Sequence, residues 1–86
     1  MTKKQLEKTT WAKKFKVDDP SDYDQAIFYA LKNPLCVDIQ RTDENGEMLW
    51  AIQVVDSSFW MEAFPLKTQA INLCNKMGWD IQELGI

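Results

Sequence analysis

The chain has no histidine, so its candidate acids and bases are thirteen carboxylates, and its only thiols are Cys36 and Cys74. The commonest general base, zinc ligand and neutral-pH switch is therefore missing. The carboxylates are scattered rather than paired for acid–base work. Asp18-Asp19 stand at a helix start and Asp43-Glu44 beside a turn, both places where solvated carboxylates are expected. Asp43-Glu44-Asn45-Gly46-Glu47 faintly resembles a calcium loop, but it lacks the oxygen spacing of positions one, three and five, the glycine at six and the glutamate at twelve. No glycine-rich phosphate loop, nucleophile elbow or zinc-ligand spacing occurs. Each cysteine lies in an apolar stretch and reads as a small packed hydrophobe. The expectation is a protein without catalytic residues, cofactor or metal.

Charge gives a second kind of chemistry. The net charge is −3, but residues 1–16 carry six lysines against Glu7, a balance of +5, while residues 17–86 carry twelve acids against four cations, a balance of −8. Lysines interleaved with aromatics suit phosphate neutralisation and base stacking. Lys13, Lys14, Lys16 and Trp11 are thus the candidate contacts to single-stranded nucleic acid. The acidic body opposes that reading, because its field would repel a phosphate backbone. The same acids, Asp18, Asp19, Asp22 and Asp24 among them, suit an inhibitor or mimic that docks on a basic protein groove.

Position decides among these, and position comes from the elements. With 86 residues, 45% hydrophobic and 27% charged, the chain has the composition and length of one small globular domain. No apolar run approaches the length of a membrane span, and no apolar segment follows the N-terminal lysines as a leader requires. A cytoplasmic location without a membrane partner is expected. Residues 1–8 are polar and read as a flexible basic arm. Over residues 10–17, Trp11, Phe15 and Val17 fall on one side of an alternating pattern and lysines on the other, which suits an edge strand; a short helix is the competing reading. A helix is predicted over about 20–33, with Pro20 at its start and Asn33-Pro34 at its end. A second is predicted over about 66–77, closed by Gly78.

Between the helices the pattern predicts a three-stranded antiparallel meander at about 35–42, 48–56 and 59–64. Asn45-Gly46 is the strongest two-residue hairpin signal. Pairing outward from it sets Val37 against Val54, Ile39 against Ile52, Arg41 against Trp50, Asp38 against Gln53 and Gln40 against Ala51. Apolar residues meet apolar ones, and a slip of one residue destroys the match. A tight turn at Ser57-Ser58 then sets Val54 against Met61, Ile52 against Ala63, Val55 against Trp60 and Gln53 against Glu62. Residues 79–84 alternate and suit one more edge strand. The fold class is α+β, with both helices covering the face of Val37, Ile39, Ile52 and Val54.

The opposite, outer face then carries Leu49, Val55, Trp60 and Phe64 around Glu62. An uncovered sheet face should be mostly polar, and aromatic side chains are enriched where partners dock. The leading functional expectation is a non-enzymatic interaction module, binding another protein or a second copy of itself through Trp60, Phe64, Val55, Leu49 and Glu62. Nucleic-acid binding through the lysines is the alternative from a different class.

Overall fold

The computed structural model describes residues 1–84. The chain forms two compact units, Met1–Asn33 and Pro34–Ile86.

The first unit is helical: α1 spans Lys3–Glu7, α2 spans Thr10–Asp18, and a single 3-10 turn at Pro20–Asp22 leads into α3, Tyr23–Ala30. Residues 3–7, expected as part of a frayed arm, are a helix because Thr2 and Gln5 form a capping box. The Thr2 hydroxyl accepts from the Gln5 N–H at 3.2 Å, and Gln5 Oε1 accepts from the Thr2 N–H at 2.8 Å. The strand expected at residues 10–17 is likewise corrected to a helix. Thr9 caps it by accepting from the Ala12 N–H, and its own hydroxyl donates to the Leu6 carbonyl at 2.7 Å. Trp11 and Phe15, four apart, pack with ring centroids 5.7 Å apart and planes tilted by 57°. With Ala12 they form one buried stripe, whereas Val17, which the strand placed beside them, is 80% exposed. Helical spacing therefore accounts for what is buried, and alternation does not.

The second unit is the meander with one helix and a fourth strand. Strands β1 (Cys36–Glu44), β2 (Glu47–Val54), β3 (Trp60–Phe64) and β4 (Asp80–Leu84) form one sheet in the order β3-β2-β1-β4, and α4 spans Lys67–Met77. The first hairpin has the register that the turn dictates, from Val37 opposite Val54 through Ile39 opposite Ile52 and Arg41 opposite Trp50 to Glu44 opposite Glu47. Asn45 and Gly46 both take positive φ, 54° and 78°, as a type I′ turn requires. The strand expected at 79–84 is β4, which runs parallel to β1. Helix α4 packs across the sheet and buries Ala70 and Cys74, while Val37, Ile39, Ile52, Val54 and Met61 are buried with them.

The second hairpin departs from expectation. Trp50 lies opposite Phe64, Ala51 opposite Ala63 and Ile52 opposite Glu62, and Gln53 lies opposite Trp60 across a register shift that leaves Met61 as an extra residue. Ser57-Ser58 does not make a two-residue turn, because neither serine is suited to the positive φ such a turn demands. Asp56 takes the left-handed position instead, at φ 63°. The Ser57 hydroxyl accepts from the Phe59 N–H at 3.0 Å, and the Val54 N–H donates to the Phe59 carbonyl at 2.9 Å. This longer loop shifts the pairing, and the bulge at Met61 absorbs the remainder.

Helix α4 ends at Gly78, with φ 74°, and the Trp79 N–H reaches the Cys74 carbonyl at 2.9 Å as in a Schellman stop. A Cβ at Gly78 would meet nothing within 4 Å, so Gly78→Ala costs only backbone strain, about 1 kcal/mol. Thermal unfolding should fall by roughly 4–8 °C, with Gly78→Asn closer to wild type. An unchanged midpoint in Gly78→Ala would contradict the left-handed cap.

Candidate functional site

The strands differ in length, and that difference exposes a surface. Partners on β3 reach only Trp50–Gln53 of β2, and partners on β4 reach only Cys36–Ile39 of β1. Among the described residues, the rows Thr42–Leu49, Asp43–Met48 and Glu44–Glu47 therefore pair only with each other, as a two-stranded ribbon that leaves the sheet. Such a ribbon has little stability of its own; the Asn-Gly turn and the sheet at its base hold it. Every residue from Asp43 to Met48 is exposed.

Trp50 stands where the ribbon joins the sheet. It is half-buried, and its indole meets two cations. The Arg41 guanidinium, directly across the ladder, lies 6.0 Å from a ring centroid, and Lys67 Nζ, from the first turn of α4, lies 5.2 Å away. Both distances suit a cation–π contact. Lys67 also marks which face α4 occupies, because Trp50 shares its side of the sheet with Ile52 and Arg41. Phe64 faces Trp50 on β3 and Met48 lies two residues further out on β2, so both belong to this face. Met48 is 43% exposed. The first turn of α4 holds no acid, and Leu66, at the N-cap, caps it with its backbone carbonyl alone, which accepts from the Gln69 N–H at 3.1 Å. Trp50, Phe64, Met48, Arg41 and Lys67 thus form a partly apolar surface rimmed by two positive charges.

The expected outer-face site is only partly assembled. Trp60 is opposite Gln53 on the outer side and is 37% exposed, and Val55 and Leu49 are half-buried. The register shift moves Phe64 and Glu62 to the other face, opposite Trp50 and Ile52. Placing Trp60, Phe64 and Glu62 side by side is therefore corrected: the bulge at Met61 separates them. The Glu62 carboxylate accepts from the Ala63 N–H at 3.1 Å, which satisfies a backbone donor on an edge strand.

In the helical unit Lys13, Lys14 and Lys16 are exposed, but Trp11 is only 4% exposed. The expectation that Trp11 stacks on bases is corrected, since its ring is packed against Phe15. Lys16 lies 5.5 Å from the Tyr23 ring centroid. A groove of about 340 Å3 runs past Tyr23, with Ile27, Phe28 and Leu31 as its apolar wall and Lys3, Glu7 and Asp24 as its charged rim. The Tyr23 hydroxyl is pushed above its usual range, first by loss of solvation and then by the charges of Glu7 and Asp24. Among the described residues no group of three or more carboxylates and thiols is placed to hold a metal, and no helix is long and apolar enough to cross a membrane. Comparison with protein-family models, curated proteins and solved structures gives no match to this chain.

Cys36 is half-buried and Cys74 fully buried. Burial pushes Cys74 up to about 12, so the reactive thiolate is suppressed. The unfolded thiol ionises near its ordinary value of about 8.5, whereas the folded one stays neutral. Stability from this group is therefore complete below that value and is lost as pH rises toward about 12. Denaturant midpoints between about pH 8 and 11 should fall more steeply for wild type than for Cys74→Ala. Parallel slopes would contradict it.

Proposed function

We propose that the chain is a protein-interaction module that docks a partner on the surface around Trp50, at the base of the projecting hairpin. The reading rests on one observation above all: a half-buried indole with Arg41 and Lys67 at its ring, at the point where the sheet narrows to a ribbon. Trp and Arg dominate binding hot spots, and Met and Phe are enriched in interface cores. A rim of nearby charge excludes wrong partners and speeds encounter. This replaces the outer face as the working surface, with Phe64 retained and Trp60 left apart.

Nucleic-acid binding by the helical unit stands as a second reading, favoured by the exposure of Lys13, Lys14 and Lys16. With Trp11 buried it rests on phosphate contacts alone, and it predicts affinity that collapses with salt.

A photoreactive amino acid in place of Met48 tests the first reading. Cross-linking in the native cell should yield protein adducts, and Trp50→Ala should cut the yield by more than tenfold, as loss of about 2 kcal/mol implies. Circular dichroism should show that the variant keeps its fold. Adducts insensitive to Trp50→Ala, or adducts with nucleic acid alone, would contradict it.

A further inference from the structure

We propose that the occupant of the Trp50 surface is a second copy of this chain, held across a two-fold axis that lies between two rows of the hairpin. The proposal rests on the reading of that surface as a docking site. On the face shared by Trp50, two adjacent rows have opposite character. The outer row pairs Asp43 with Met48, and the inner row pairs Arg41 with Trp50. Residues two apart on a strand point the same way, so an acid and an apolar thioether stand beside a cation and an indole, about 7 Å away along the strands.

A two-fold axis parallel to the ladder hydrogen bonds and midway between these rows exchanges them. Asp43 of one copy then meets Arg41 of the other, and Met48 lies on Trp50. Each contact occurs twice, as an isologous interface requires. Thioether sulfur against an aromatic ring is favourable. Arg41 can hold a carboxylate while its guanidinium plane stays on the indole, because stacking leaves the N–H edges free.

The matched surface is small compared with the ~800 Å2 per partner of standard interfaces, so the association should be weak and salt-sensitive.

Sedimentation equilibrium from about 1 to 500 µM should show a monomer–dimer equilibrium, shifted toward monomer by salt. Asp43→Lys and Arg41→Glu should each be monomeric, because each places like charges against one another. Mixing these two variants should restore dimers, since the reversed charges then face their complements. That rescue separates a charge effect from misfolding. A wild type monomeric throughout, or dimers indifferent to both substitutions, or variants that fail to rescue each other, would overturn the second-copy proposal. Loss of cross-linking dependence on Trp50 would instead overturn the docking surface itself.

Discussion

Two adjacent residues with positive φ, Asn45 and Gly46, determine where every side chain of the first hairpin points. A type I′ turn leaves no freedom in the pairing that follows it. Ile39 is therefore held against Ile52 and Val37 against Val54, all four buried. Slipping the strands by one residue would send this set into water. At about 25 cal/mol per Å2 of apolar surface, that loss exceeds what the turn alone could enforce, so turn and core select the same register. Helix α4 then has one face on which to bury Ala70 and Cys74. Among the described residues, the pairing of β3 and β4 reaches only the base of the ribbon.

The same logic explains which parts of the fold could be read from residues alone. The first hairpin was legible because its turn residues and its apolar pattern are independent and agree. The second was not, because Ser57-Ser58 carries no conformational demand and the left-handed residue is Asp56. A single-residue bulge at Met61 then reverses which face the following residues occupy. Over residues 10–17 the two periods compete: Trp11 and Phe15 fit both alternation and helical spacing, whereas Val17 fits alternation alone. The decisive signals lie upstream: Thr2 with Gln5 three residues later is a capping box, and Thr9 caps the second helix.

The candidate site was legible in half. Arg41 beside Trp50 follows from the turn, and the ring lies 6.0 Å from the guanidinium. Lys67 could not be read that way, because its arrival depends on how α4 crosses the sheet. Phe64 lies on the face of Trp50 rather than on that of Trp60, because the bulge at Met61 turns it there. The surface combines features that stability alone does not favour. An exposed Met48, a half-buried tryptophan and a like-charge pair at the turn are local costs, and local conflicts of this kind collect at working surfaces.

The account is tested most directly by following backbone and indole N–H resonances while the protein is diluted. Shifts that change with concentration should be confined to Arg41–Trp50 and the start of α4, with the Trp50 indole moving most. Resonances of Trp60 and of the lysines on α2 should stay fixed. Movement centred on Trp60 or on α2, with a silent Trp50, would contradict the account.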